Sequence, residues 1–421
     1  MHITLRPPPL RHPLARIALA SIPVAVAYTL SWFGIFTFVN GYLVNDLHYS
    51  NEEWTAVMLW YTGSMVVWPF FCSEFSSLLG RRRTVALALA LAGVLFGGFY
   101  FIHHRALICL MLSLMALAVA VVSSVYMPMV AGAGGAKPGR ALATFNIVNT
   151  LTGASALIGG GYLAAHLGYR QAFCWFALAC VVCAVLFFLQ TGRFGNAPEI
   201  KAVSVRGLSR ADIIALLTGP FLIIVLCGLS MEAFNYLTVN QLWPNLARDR
   251  FDMSERTIST MVALGRLPAL ITLTILAQFI DRMNVVRFYG FSFLYVALCV
   301  FTLGMAQTPT ALKTAYVAYF IGMGCIWGSN SPAVNASVSP RLRDSAFALM
   351  LIPAQLALFL VGIVHNRMLA AGLTLPEVFR WCGIIAALGG GMVLIVYSFI
   401  RRAPRAAVEP AGEPLVRENS A

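Results

Sequence analysis

Between residues 17 and 400 the sequence alternates apolar runs of 19 to 27 residues with short segments that hold most of its charges. A run of that length matches the ~20 residues an α-helix needs to cross the hydrocarbon core of a bilayer. The runs fall at 17–43, 54–79, 84–103, 106–130, 141–165 and 172–190, and then at 214–240, 257–280, 288–306, 312–334, 345–368 and 379–400. A polar segment at 191–213, the longest inside the chain, divides them six and six, and tails at 1–16 and 401–421 flank the two bundles 17–190 and 214–400. Composition agrees: 59% of the 421 residues are apolar and 11% charged, against about 45–50% and about a quarter in soluble domains. The expected fold is an all-α membrane protein of twelve transmembrane helices, with no room for a large soluble catalytic domain.

The formal charge of +13 is a topology signal. Arg6, Arg11, Arg16, Arg81, Arg82, Arg83, Lys137, Arg140, the basic residues of 191–213, Arg282, Arg287, Arg341, Arg343 and those of the C-tail all fall on one side of the twelve runs. Loops rich in Lys and Arg stay in the cytoplasm, so both termini and the central segment are expected there, and nucleic-acid binding is not. The first run lacks a small-residue cleavage site and reads as a membrane helix, not a removable signal. Most of the nine cysteines lie inside apolar runs without ligand-like spacing and read as small buried residues. The short loops suit a bacterial cytoplasmic (inner) membrane.

The two halves repeat. Leu47-His-Tyr-Ser-Asn-Glu-Glu-Trp54 aligns with Phe251-Asp-Met-Ser-Glu-Arg-Thr-Ile258 at an offset of 204, the same offset sets Ser77 to Arg83 against Asp281 to Arg287, and Phe173-Cys-Trp175 matches Phe379-Arg-Trp381 at 206. Three matches in one order at nearly one offset indicate a duplicated six-helix unit.

This organisation resembles the major facilitator superfamily. The family's loop after helix 2 usually reads G-x-L-x-D-R-x-G-R-R; here Ser73-Glu-Phe-Ser-Ser-Leu-Leu-Gly80-Arg81-Arg82 keeps the Gly-Arg-Arg end and lacks the first Gly and the Asp, for which Glu74 is expected to substitute. The second copy keeps Asp281-Arg282 and loses Gly-Arg, while Gly168-Tyr169-Arg170-x-x-Phe173 is similar to the family's G-W-R-x-x-F. A family stretch common in proton-coupled exporters, G-P-x-x-G-G in helix 5, is not kept; Ser155-Ala-Leu-Ile-Gly159-Gly160 stands there. The resemblance implies two pseudo-symmetric six-helix halves, a central cavity opening alternately to either side, and gate loops at Glu74, Gly80, Arg81, Arg82, Asp281 and Arg282.

Ionisable residues at bilayer depth are functional candidates, because burying their charge is costly. Arg266 lies about nine residues into the eighth run, ~13 Å along a helix and close to the midplane; Glu232 reaches a similar depth in the seventh. Arg266 is expected to bind a carboxylate or phosphate through its planar fork and Glu232 to carry a coupling proton, unless the two form a permanent salt bridge ordering their helices. The helices that tend to line the family's cavity add Trp32 and Asn40, Tyr126, Asn235 and Tyr236, Trp327 and Asn330, with Asn146 and Asn149 on helix 5. No phosphate-binding G-x-x-x-x-G-K-[ST] pattern supports ATP coupling, and too few acids and histidines cluster at one depth for a membrane enzyme.

The reading is a secondary active transporter of a small organic solute, proton-coupled, mildly favouring an anion and acting as a monomer in the lipid bilayer, with no cofactor or metal. An exporter of amphipathic compounds, in which the aromatics dominate recognition, and a transporter-like receptor or scaffold without flux remain open alternatives.

Overall fold

The computed structural model describes residues 13–133, 138–190, 214, 220–279, 283–337 and 343–402. Among them twelve helical rods run back and forth. The first, α1, spans Pro13–Thr29 and continues through wide π turns at Leu30–Val39 and Tyr42–Asp46. Next come α2 (Asn51–Leu79), α3 (Arg81–Phe101) and α4 (Arg105–Val121), the last extended by a π turn at Val122–Tyr126 and by Met127–Ala133. The first half closes with α5 (Pro138–Leu167) and α6 (Tyr169–Gln190). The second holds α7 (Pro220–Phe251), α8 (Glu255–Leu264 and Arg266–Phe279), α9 (Val285–Met305), α10 (Pro309–Ser337), α11 (Arg343–Ala370) and α12 (Leu375–Arg402).

Eight stretches among the described residues are long and apolar enough to cross a bilayer. The other four rods, α5, α7, α10 and α11, have 30, 32, 29 and 28 residues, and at ~1.5 Å per residue each exceeds the ~30 Å hydrocarbon thickness. Large apolar side chains on the outer faces, such as Leu78, Phe101, Val94, Leu189 and Leu388, are 66–80% exposed. In water that would be a liability; against lipid tails it is the ordinary surface.

The duplication is visible in the backbone. Ser50 caps α2 by accepting from the Glu53 N–H while Glu53 accepts from the Ser50 N–H, and at the equivalent place Ser254 caps α8 by accepting from the Thr257 N–H. Two residues before each cap, His48 (φ 58°) and Asp252 (φ 47°) take the left-handed conformation that turns the chain back. Packing repeats as well: α3 lies on α6 as α9 lies on α12, and α1 lies on α5 as α7 lies on α11. The halves meet where α2 crosses α11 and α5 crosses α8, the two contacts that a two-fold relation between duplicated units exchanges.

Small residues set the closeness of that seam. A Cβ at Gly161 of α5 would overlap the side chain of Ser259 on α8 and come 3.3 Å from the Glu255 carbonyl. Gly161→Leu is therefore expected to lower the apparent unfolding temperature of the detergent-solubilised protein by several degrees, the overpacking cost being about 1–3 kcal/mol. An unchanged transition would mean that the two helices do not meet here.

Candidate functional site

The break in α8 explains how an arginine reaches the centre of the protein. Pro268 has no N–H to offer the Leu264 carbonyl and its ring crowds that position, so the helix is interrupted at Gly265 and restarts at Arg266. Arg266 is 6% exposed. Its guanidinium carbon lies 3.2 Å from the centre of the Phe33 ring on α1, a cation–π contact, and Nη2 has no hydrogen-bond partner among the described residues. On α5, Gly153 makes the room: a Cβ there would stand 3.2 Å from Arg266 Nη1. Tyr236, Tyr316 and Tyr28 lie within electrostatic range of the guanidinium, whereas no carboxylate forms an ion pair with it among the described side chains.

Aromatic rings from four helices surround this charge. Trp32 stacks on Tyr236 with 6.2 Å between ring centres and donates its indole N–H to the Tyr236 hydroxyl at 2.6 Å. The two residues are 204 positions apart, the offset of the internal repeat, so equivalent points of the two halves face each other on the pseudo-axis. Tyr61 of α2 packs against Trp32 and Phe36, and Trp327 of α10 closes the other side against Tyr236 and Phe320. The π turns of α1 carry Trp32, Phe33 and Phe36. Such wide turns recur at functional sites because they re-aim side chains without ending the helix.

Two buried amides lie next to members of the aromatic set along their helices, Asn40 one turn after Phe36 and Asn235 beside Tyr236. Asn40 on α1 and Asn235 on α7 are fully buried, and neither Oδ1 nor Nδ2 of either finds a partner among the described residues. An unsatisfied buried polar atom costs about 1–3 kcal/mol. Four such atoms together with a free guanidinium nitrogen are difficult to account for as packing, and a polar solute would satisfy them.

Of the residues singled out in the sequence, Trp32, Tyr236 and Trp327 meet ring to ring, and Arg266 joins them through Phe33; Asn40 and Asn235 are buried on α1 and α7. Asn149 is at the edge, where its Oδ1 accepts from Thr29 at 3.4 Å. Asn146 is exposed on α5. Tyr126 is elsewhere: its hydroxyl shares a hydrogen with Ser21 at 2.8 Å and its ring sits between Phe145 and Phe187, a satisfied packing residue inside the first half. The side chains of Glu232 and Asn330, and Asp281 and Arg282 entirely, lie outside the described residues. In the loop after α2, Gly80 has φ 80°, a left-handed turn that a side chain would strain. Arg82 turns to α6, where it bonds the Phe188 carbonyl and lies 4.2 Å over the Phe188 ring; Arg81 is half-buried and Glu74 exposed.

Sequence reasoning missed how one end of the site is sealed. At the end carrying the α1–α2 and α7–α8 loops, Arg248 of α7 is clamped by both oxygens of Glu255 of α8, bonds Asn245 Oδ1 at 3.0 Å, and crosses to the Thr37 carbonyl of α1 at 3.0 Å. The side chains of the pair are only 8% and 12% exposed. Asn51 bridges to Asp249 at 3.0 Å and to Asn245, and Asn366 of α11 donates to the Glu52 carbonyl and Thr55 of α2. Tyr169, from the Gly-Tyr-Arg motif, accepts from Asn45 at 2.9 Å and faces Glu255. Counted along the chain, Arg248 is one more loop charge; only the capping Ser254 next to Glu255 hinted that this loop is ordered.

Comparison with known proteins bears on the whole arrangement. A sequence model of the Major Facilitator Superfamily matches residues 22–238, just over half of the chain. No curated protein matches the sequence. Among solved structures, a variant of the peptide transporter POT in complex with alafosfalin superposes with a TM-score of 0.73 at 12% identity, covering 94% of this chain and 96% of that one. The nucleoside transporter NupG gives 0.71 at 14%, covering 92% and 99%. The xylose transporter XylE from E. coli, in a partially occluded inward open conformation, gives 0.68 at 13%, covering 92% and 98%.

Proposed function

The chain belongs to the Major Facilitator Superfamily, and from that premise we propose that this solute transporter carries a small organic anion, coupled to protons, by alternating access. The observation that carries the anion reading is Arg266, a buried guanidinium stacked on Phe33 with a donor that has no partner among the described residues. A carboxylate or phosphate would receive the Arg266 fork. The amides of Asn40 and Asn235 would take a hydroxyl, amide or carbonyl of the same solute, and the Trp32, Tyr236 and Trp327 faces its body. Peptide, nucleoside and sugar transporters of like fold, one neighbour being described among proton dependent oligopeptide transporters, support a polar solute of this size. The coupling proton is assigned to Glu232, an ionisable residue inside the seventh apolar run, three positions before Asn235 in the sequence.

A second reading rests on the density of rings. Trp32, Phe33, Phe36, Tyr61, Tyr236 and Trp327 would also suit export of amphipathic compounds, with Arg266 held only by its cation–π contact. The test is the thermal stability of the purified protein against organic acids, sugars, amines and hydrophobic drugs at two pH values, since a ligand raises the transition by mass action. Stabilisation by carboxylates, stronger at low pH, is expected; stabilisation by amphipathic compounds alone would overturn the anion reading. Counterflow of the stabilising solute in vesicles separates transport from binding without flux, and absence of counterflow would overturn transport.

Orientation belongs to the same proposal. The basic loops set the termini in the cytoplasm, which makes the sealed end extracellular and the arrangement described here one that is closed to the outside.

A further inference from the structure

His365 of α11 is fully buried and belongs to none of the contacts around Arg266. Its Nε2 is 2.8 Å from Thr238 Oγ1 on α7, and its Nδ1 is 3.2 Å from Gln241 Oε1 one turn along. The ring lies edge-on to Phe234, 6.0 Å between centres. The partners fix what the imidazole must do. Thr238 gives its own hydrogen to the Phe234 carbonyl at 2.6 Å, so Thr238 Oγ1 accepts and Nε2 carries hydrogen. The other nitrogen faces an amide that has both a donor and an acceptor, and Gln241 Nε2 is without a partner among the described residues. With Oε1 toward the ring the pocket fits an imidazolium, Nδ1–H donating; turned by half a rotation, Gln241 donates to the lone pair of a neutral ring. One side chain therefore satisfies both protonation states.

Among the described side chains the pocket supplies hydrogen bonds for either state and a counter-charge for neither. Among the described side chains of α7 the charged one next along the helix is Arg248, two turns beyond Gln241 and held by Glu255. From α12 the Cys382 thiol reaches Thr238, and Arg380 pairs with Glu377 at the exposed start of that helix. From α2 the adjoining groups are the Glu52 carbonyl and Thr55, with the Glu52 carboxylate exposed. An imidazolium closed into such a site is unfavourable unless water enters. The same two helices hold the seam between the halves: the Gln241 carbonyl accepts from the Trp54 indole of α2 at 3.2 Å, and Asn366, next to His365, bonds α2 at Glu52 and Thr55.

We propose that His365 is a proton-binding site of the transporter, distinct from Glu232, and that a proton taken up there from water opens the α2–α7–α11 seam while the neutral ring keeps it shut. The inference rests on the reading of the chain as a protein that alternates between two faces. It does not depend on the substrate.

The test is a distance measurement by electron spin resonance on the full-length protein in nanodiscs. Labels go on cysteines placed at His104 and Ala371, on opposite sides of the seam, in a Cys174→Ser background, because Cys174 is the exposed native cysteine among the described residues. Measurements are made at about pH 8 and about pH 5, on either side of the ordinary histidine value of about 6.5. The distance should lengthen at acid pH with wild-type His365 and stay short at both values in His365→Gln. An acid response in His365→Gln equal to that of wild type, or no response in wild type, overturns the proposal. If His365→Gln does not fold, Gln241→Met keeps the volume and removes the amide that holds the neutral ring, and its response should shift to higher pH; an unshifted response also overturns the proposal. No solute is added, so the outcome is separate from whether organic acids stabilise the protein through Arg266.

Discussion

Arg266→Gln is expected to abolish stabilisation by organic acids and to reduce their uptake by two to three orders of magnitude, while raising the unfolding temperature of the ligand-free protein. The two signs come from one fact. Arg266 is buried with a ring beneath it and no ion pair among the described side chains, so on the anion reading the ligand-free protein bears the cost of a charge that the solute offsets. Truncating one partner of a buried charged contact costs about 2–5 kcal/mol of binding, and each 1.4 kcal/mol is tenfold in affinity. Arg266→Lys should rescue poorly, because an ammonium on a flexible stem cannot reproduce the planar fork or its stacking on Phe33. Measuring stability and uptake on the same preparations separates this from a structural role. A permanent bridge to Glu232 predicts that Arg266→Gln lowers the unfolding temperature, and normal uptake in both variants would sink the anion reading.

The sealed end should respond as strongly to Glu255→Gln. That change leaves Arg248 buried with only neutral acceptors, Asn245 Oδ1 and the Thr37 carbonyl, and breaking a buried pair from one side costs about 3–5 kcal/mol. Part of the cost falls on the closed arrangement alone, since Thr37 and Tyr169 belong to the other half. Labelling by a membrane-impermeant thiol reagent of a cysteine placed at Asn40 reports the opening. Its rate in Glu255→Gln should rise about 10- to 100-fold, the effect of ~1.4–2.7 kcal/mol on the equilibrium between faces. The swap of Arg248→Glu with Glu255→Arg should return the rate toward wild type. An unchanged rate in Glu255→Gln would show that the pair does not hold this end shut.

The individual residues show how far the sequence could be read. Arg266 was legible because a charge inside an apolar run has few explanations at any position. Trp32 and Tyr236 were legible only as candidates; that they meet, at the 204-residue offset of the repeat, follows from the pseudo-two-fold that puts α1 opposite α7. Tyr126 had the same composition-level credentials, and its bond to Ser21 and the Phe145 and Phe187 rings make it a packing residue. His365 and Arg248 stand near the ends of their helices in the linear order, where a charge or an imidazole is ordinary. Rotation of α11 against α7 buries the first, and the approach of the halves buries the second.

By itself the sequence determined the class of fold, the number of crossings and the duplication, because lipid cannot hydrogen-bond the backbone and each crossing must be a continuous apolar helix. It also determined that one arginine lies at depth. Only the tertiary structure decided which faces of those helices meet. A lipid tail and a packed leucine are equally apolar, so hydropathy does not distinguish the surface that touches the bilayer from the surface that closes on a neighbour. The π turns of α1, the break at Gly265 and the crossing of α2 on α11 set the rotation of each helix. That rotation places a guanidinium on the Phe33 ring beside an aromatic cluster, and a histidine beside an amide that fits both its charged and its neutral form.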